Sequence, residues 1–370
     1  MFEIEVDVKT IDDHKVTIYP VIFHPDEGGQ PADKGTIGEA VVRRVEIEDG
    51  RIVHTLDRPL GDGKFMARLD REHRLYTATQ HTAQHILSGI AEKRFGLKTT
   101  GVHIGLERCT VDFDTKIDWD TAAELERRSL GVVTGDIPVE TVFNDTDARI
   151  RGEVKGIESG VIRVVKIGDY DKSACCGAHV RTTGRIGIIR ILGLESKKEG
   201  TRVTFLAGGK ALEYCQGETS ILRELRKAAG CSSGELPAAF EKAVNRSNEL
   251  AKEVNRLWSL LLPGLAETAP MAELEGSKVG VQIAQIPPQF LAKLAALIAD
   301  VNGGAGVVVS DQNIAVSSRG VSAKEILGHI LNSAGGKGGG SPAAANGRLG
   351  KTMTFHEIRT ILKESAHKSG

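Results

Sequence analysis

The pattern of apolar and polar positions changes character several times along the 370-residue chain. Residues 1–70 are strand-like. "EIEVDVKTID", "KVTIYPVIFH" and "EAVVRRVEIEDGRIVHTLD" alternate or are β-branched, and Gly, Pro and Asp interrupt them. They predict a β-barrel-like unit. "LYTATQHTAQHILSGIAEKRFG", residues 75–96, reads as a helix with Thr77 as N-cap and Gly96 as the residue after its end. Residues 99–206 mix four strand-like runs with one acidic helix, "WDTAAELERRSLG", which is an α+β pattern.

Beyond residue 208 the period lengthens. "KALEYCQGETSILRELRKAAG" and "ELPAAFEKAVNRSNELAKEVNRLWSLLL" carry apolar residues three or four apart, as helices do, and Pro263 and Gly264 are expected to end the second. Residues 278–370 alternate strands and helices. A glycine-rich stretch, "GGKGGGSPAAANGRLGK", reads as a loop before the final amphipathic helix. The expected fold is therefore α+β in four parts. Residues 1–72 form an N-terminal β-barrel-like domain and 73–208 an α+β domain. Residues 209–264 form a helical connector and 265–370 a C-terminal α/β domain.

Composition narrows the class. Hydrophobic content of 40% and charged content of 26% are those of a globular protein, and a net charge of −1 argues against wholesale coating of nucleic acid. No basic n-region and apolar h-region open the chain, so no signal peptide is expected. No apolar run is long enough to span a bilayer, and no membrane partner is expected. Five cysteines, mostly scattered, do not make a disulfide framework, so a reducing cytoplasm is the expected location.

Chemistry concentrates in two short stretches. His81 and His85 stand at i and i+4 of the expected helix, roughly 6 Å apart at Cβ on one face. The glutamate of a zinc-protease HExxH is absent, because Thr82 follows His81. Ninety positions after His85 comes "CCGAHV", in which either Cys175 (CxxxH) or Cys176 (CxxH) pairs with His179. Three imidazoles and one thiolate suit zinc; the bland alternative is buried cysteines and surface histidines.

"HTAQHILS" with "CCGAHVRTTGRIG" resembles the HxxxH and CxxxH pair of the alanyl-tRNA synthetase editing domain and of its free-standing AlaX-type relatives. Cys176 and Ala178 depart from the family's CGGTHV. "GGQPADKG" resembles its glycine-rich loop, matching at Gly28, Gly29, Gln30, Asp33 and Gly35. "GGKGGG" resembles the DHHA1 domain of alanyl-tRNA synthetase, matching at Gly335, Gly336, Gly338, Gly339 and Gly340; no acidic DHH motif accompanies it. The layout is that of the long AlaX form, without an activation domain.

The resemblance implies one Zn²⁺ per chain on His81, His85, Cys175 and His179. It implies hydrolysis of tRNA(Ala) mischarged with serine, and also with glycine. Gln30 is the expected group for orienting substrate or water, with Gly28, Gly29 and Asp33 binding substrate. Lys337, Gly338, Gly339, Gly340, Arg348 and Lys351 are the expected tRNA contacts, since glycine N–H groups can cradle phosphates. A homodimer through the helical connector or the C-terminal domain is a further expectation. The alternatives are a non-catalytic zinc-containing module that binds tRNA or protein, and editing of another mischarged tRNA.

Overall fold

The alternation in the first 70 residues closes into a barrel. In a computed structural model, which describes residues 2–143 and 162–366, six antiparallel strands follow the order β1-β2-β5-β4-β3-β6. They are β1 (Glu3–Thr10), β2 (Lys15–Tyr19), β3 (Gly35–Ile37), β4 (Ala40–Glu48), β5 (Arg51–Leu56) and β6 (Gly63–Leu69). Val6, Val8, Val16, Ile18, Val45 and Leu56 fill the interior, as period-2 patterning requires. The expected strand through "VIFH" stops at Tyr19 instead, because Pro20 has no N–H to give a ladder. Residues 20–34 leave the barrel as a loop that carries the Gly-Gly-Gln turn.

Helix α1 (Arg71–Phe95) is the axis of the next part. It begins earlier than expected: the Asp70 carboxylate caps His73 N–H, and Thr77 lies inside the helix with its hydroxyl bonded to His73 and Arg74 carbonyls. Gly96, in the left-handed conformation, ends it as expected. A four-stranded antiparallel sheet, order β12-β13-β8-β7, uses β7 (Thr99–Ile104), β8 (Cys109–Phe113), β12 (Ile189–Lys197) and β13 (Gly200–Ala207). A three-stranded sheet, order β11-β10-β9, uses β9 (Val139–Phe143), β10 (Arg163–Ile167) and β11 (Asp171–Ala174). Val161, the first residue of one expected strand, lies outside the described residues. Helix α2 (Trp119–Thr134) is the acidic helix of the sequence. Ile86 and Leu87 of α1 are fully buried among Ile104, Val111, Phe113 and Phe205; truncating either to Ala should cost roughly 2–5 kcal/mol.

The chain divides into two compact units, residues 1–225 and 226–370, with the division inside α3 (Gly208–Ala229). The second unit opens with α4 (Leu236–Glu267), which runs through Pro263 rather than ending there. An interior proline costs a helix about 3 kcal/mol. Leu262 and Ala266, packed with Leu291, Leu294 and Ile298 of α5 (Pro288–Asn302), hold the last turn. Six strands follow the order β14-β15-β16-β17-β19-β18: β14 (Met271–Leu274), β15 (Ser277–Ile283), β16 (Ala305–Ser310), β17 (Asn313–Ser318), β18 (Gly336–Gly340) and β19 (Ala344–Leu349). Helices α6 (Ala323–Ala334) and α7 (Phe355–Ala366) complete the unit.

The glycine-rich stretch is thus the hairpin of β18 and β19, with β18 at the sheet edge, and not a loop. Its glycines let two backbones come close: a Cβ at Gly338 would stand 2.7 Å from Asn346 O, and one at Gly340 2.3 Å from Ala344 O. Among the described residues no helix is long and apolar enough to cross a membrane.

Candidate metal centre and pocket

Residues 77–91 of α1 are buried almost throughout, so both histidines of the HxxxH pair project into the interior of the fold rather than into water. Their ring centroids are 5.1 Å apart. The second half of the cluster arrives from β11. Cys175 follows its last residue, and the chain turns back through Gly177 to His179, whose ring lies 4.6 Å from that of His81 and 4.8 Å from that of His85. One ligand atom from each of His81, His85, Cys175 and His179 falls within 4.8 Å of the others. Cys175 is therefore the cysteine of the cluster. Cys176 is exposed beside it.

The orientation of the three rings follows from their outer partners. Gln30 Oε1 lies 2.7 Å from His81 Nδ1 and also accepts the Ala178 N–H, so that atom is the oxygen and His81 Nδ1 is the donor. Asp171 Oδ2, which can only accept, lies 2.7 Å from His85 Nδ1. Thr82 gives its hydroxyl proton to Ala78 O, so it accepts from His179 Nδ1 at 3.1 Å. Each ring thus donates outward from Nδ1 and turns Nε2 to the centre, the arrangement typical of metal-bound histidines.

The donor set fits zinc. Bonds of about 2.0–2.1 Å to nitrogen and 2.3 Å to sulfur in a tetrahedron put sulfur and nitrogen roughly 3.6 Å apart. Cys175 Sγ stands 3.5 Å from His81 Nε2 and 3.3 Å from His179 Nε2. Electrostatics agree. Burial works to raise the Cys175 thiol, but the His81, His179 and His85 rings outweigh it and hold the group well below the ordinary thiol range. Burial also pushes His179 down to about 3. His85 is carried up to about 9 because Cys175 and Asp171 overcome its own burial. A thiolate with neutral imidazoles is what a soft dication takes up, and metal uptake displaces such a retained proton.

Local structure explains how the second motif is held. Arg163 of β10 donates to Cys175 O at 2.7 Å and to Gly177 O at 2.9 Å, which pins the turn. Only glycine fits at 177, where a Cβ would stand 2.2 Å from His81 Cε1 and 2.8 Å from Gln30 Oε1. The Gly-Gly-Gln turn is built as tightly. Glu27 and Gln30 exchange backbone hydrogen bonds, with Gly28 and Gly29 between them at φ of 63° and 77°. Positive φ at both central positions is a hairpin turn that favours glycine. Gly29 O accepts Ile104 N–H at 2.7 Å, which docks the turn on β7.

A cavity of about 500 Å³ opens between this turn and α1. Gly28, Gly29, Asp26 and Glu27 form one wall, Thr99–Val102 of β7 another, and Gln84 and Ser173 lie beside the cluster. His81, His85 and Cys175 line it, with Cys176 and Gly177; His179 does not. The pocket therefore meets the cluster on the face made by two histidines and the cysteine.

Sequence-expected residues fall in four places. The four metal ligands converge, and Gly28 and Gly29 line the pocket. Gln30, fully buried, sits behind His81. Asp33 lies away from the pocket, its carboxylate bound by Arg74 Nε at 2.7 Å, by Arg74 Nη2 and by the backbone N–H of His24, which ties the loop to α1. Lys337 and Arg348 are in the second unit as cross-strand partners on β18 and β19, and Lys351 pairs with Glu357 at 3.6 Å. Asp171, Thr82, Gln84 and Arg163 were not singled out from sequence. The signal for Asp171 was its place four residues before Cys175, as Cys175 is four before His179.

The comparisons point in one direction. Residues 162–203, from β10 through the cysteine motif to β13, match the family described as "Threonyl and Alanyl tRNA synthetase second additional domain". The chain is 28% identical to the alanyl-tRNA editing protein AlaX-L of Pyrococcus horikoshii, over 93% of this chain and 92% of that protein. It is 27% identical to the alanyl-tRNA editing protein Aarsd1 of Rattus norvegicus, over 95% of this chain and 88% of that one. Over nearly its whole length the chain is therefore similar to free-standing alanyl-tRNA editing proteins. Similarity also extends to an alanine–tRNA ligase of Methanoculleus marisnigri, 30% identical over 97% of this chain but only 42% of the ligase. The chain thus corresponds to less than half of that ligase.

Proposed function

We propose that the chain is a trans-editing hydrolase, releasing serine, and also glycine, from mischarged tRNA(Ala) at a zinc-organised pocket. The observation that carries this reading is the pocket face itself: two histidines and a thiolate, with their outer partners set, at the edge of a cavity of about 500 Å³. That volume lies within the range of small-molecule sites, and an aminoacyl group on a terminal nucleoside is of that kind. One zinc ion would be held by Nε2 of His81, His85 and His179 and by Cys175 Sγ. When bound, it would supply electrophilic polarisation to an ester or to water beside it.

The remaining work belongs to the chain. An aminoacyl ester is labile already, so placement supplies much of the acceleration. Gly28 and Gly29 bring bare backbone against the substrate, and Asp26 and Glu27 put acidic groups where an α-ammonium would enter. Gln30 holds His81 through its oxygen. Its Nε2 is buried with no partner among the described residues, and orienting a water beside His81 is the role we assign it. Asp33 supports the substrate turn through Arg74. A pocket that hydrogen-bonds the hydroxyl of serine can reject alanine by about 10⁴-fold, because the unfilled polar groups are costly.

We assign tRNA backbone contacts to Lys337, Gly338–Gly340, Arg348 and Lys351. The side-by-side placement of Lys337 and Arg348 on the sheet edge supports this, since adjacent cations suit phosphates. In this scheme residues 1–72 and 73–208 carry the editing site, 209–264 connect, and 265–370 form the DHHA1-like part. Exposed Phe240, Leu250, Val254 and Leu257 on α4 support a homodimer through the connector, for which a dimeric mass by light scattering is the check. Five free cysteines agree with the cytoplasm. The function is tested by assaying Ser-, Gly- and Ala-tRNA(Ala) together with Ser-tRNA(Thr): release confined to the first two supports it. Preference for Ser-tRNA(Thr) points to another editing specificity, and no release to a binding module.

A further inference from the structure

We propose that Asp171 is the positioning residue that fixes His85 as a metal ligand, and that Gly89 is kept small to admit it. The inference rests on the metal reading of the cluster and not on the identity of the substrate.

Asp171 opens β11, and its side chain is fully buried. A carboxylate removed from water is tolerated where it is hydrogen-bonded or paired. Here Oδ2 accepts from His85 Nδ1 at 2.7 Å and from Ser173 Oγ at 2.5 Å. The partners of the other two rings are neutral: an amide for His81 and a hydroxyl for His179. The bond to His85 is thus the charge-assisted one of the three, a kind roughly twice as strong as a neutral pair. It holds the ring in one orientation and makes Nε2 the better donor. It also balances charge. The Cys175 thiolate and the Asp171 carboxylate together carry two negative charges, which a dication cancels.

Gly89 shows that this contact is built. It lies one turn after His85 in the middle of α1, where glycine costs about 1 kcal/mol relative to alanine. A Cβ there would stand 2.4 Å from Tyr170 O and 3.1 Å from Asp171 Cβ. The segment that delivers Asp171 crosses α1 at this residue, and only the missing side chain lets it come close enough to reach the ring. Asp171, Cys175 and His179 repeat at intervals of four, so one short segment supplies two ligands and the partner of a third.

The test is metal binding by the purified full-length chain. Affinity for Zn²⁺ is read by competition with a chromophoric chelator, and the ligand field by the visible spectrum of the Co²⁺ form. Asp171→Asn keeps shape and removes charge; it should lower affinity about 10-fold and shift the Co²⁺ bands, with far-UV circular dichroism unchanged. Asp171→Ala should lose about 100-fold. Gly89→Ala, which leaves the carboxylate in place but displaces it, should fall between the two. Parental affinity and an unshifted spectrum in Asp171→Asn would overturn the assignment. A parental protein that takes up neither metal would overturn the metal reading, and this assignment with it.

Discussion

Gln30 Oε1 accepts both His81 Nδ1–H, at 2.7 Å, and Ala178 N–H, at 3.1 Å. One buried amide therefore joins the glycine turn, helix α1 and the cysteine motif, three segments far apart in sequence. Gln30→Leu should lower zinc affinity about 10- to 100-fold, as loss of an outer partner does elsewhere. Gln30→Glu, which keeps an acceptor toward His81, should retain more metal than Gln30→Leu. Equal metal content in all three proteins, measured after dialysis by elemental analysis, would separate Gln30 from the cluster.

The adjacent cysteines are not equivalent. Cys175 Sγ faces two imidazole nitrogens, whereas Cys176 is largely exposed as a residue, and partial desolvation of its sulfur, with Glu27, pushes its thiol up. Cys175→Ala should lose most of its zinc. Cys176→Gly should keep it and deacylate at a rate near that of the parent. The reverse pattern of metal content would move the ligand set by one residue.

Buried Asp33 and part-buried Arg74 form an ion pair that anchors the loop bearing the glycine turn. Removing one partner of such a pair leaves an uncompensated charge and typically costs about 3–5 kcal/mol. Arg74→Ala should therefore lower the urea midpoint clearly. Its deacylation should fall further than its metal content, because the turn and not the cluster loses its support. Unchanged urea stability would show that the pair contributes little.

His54 on β5 is fully buried in the barrel against Phe23, and burial pushes its imidazole down to about 4. Its unfolded value is about 6.5. A depressed value means that the unfolded chain binds the proton first. The stability tied to neutral His54 is then complete above pH 6.5 and is lost as pH falls toward 4. The loss amounts to about 3 kcal/mol. Urea midpoints recorded from pH 7.5 to 4.5 should fall with pH in the parent and less steeply in His54→Leu. Parallel slopes would assign the acid sensitivity to other groups.

Much of this was legible before the fold. His81 and His85 declare themselves through the helical period, and the β-branched alternation of residues 3–69 needs little beyond closure of its edges. What stayed hidden has a common cause. In β11 the inward positions are polar, Asp171 and Ser173, because Asp171 bonds His85 and Ser173 bonds Asp171, so the strand inverts the usual pattern. Gln30 reads as a turn residue because its partner is 51 positions away. Gly336–Gly340 read as a loop because composition speaks of freedom, whereas those glycines serve close strand pairing. Pro263 stops a helix only where packing does not hold it, and Thr77 lost the N-cap to Asp70, whose side chain reaches His73 N–H. In each case a tertiary partner overrode a local preference.

The most direct measurement is hydrolysis of Ser-tRNA(Ala) and Ala-tRNA(Ala), side by side, by the zinc-loaded protein and by Cys175→Ala. Rapid serine release by the loaded protein, with Ala-tRNA(Ala) spared by up to about 10⁴-fold and Cys175→Ala inactive on both, is the result predicted. Equal hydrolysis of both esters, or serine release undiminished in Cys175→Ala, would contradict an editing pocket organised by that cluster.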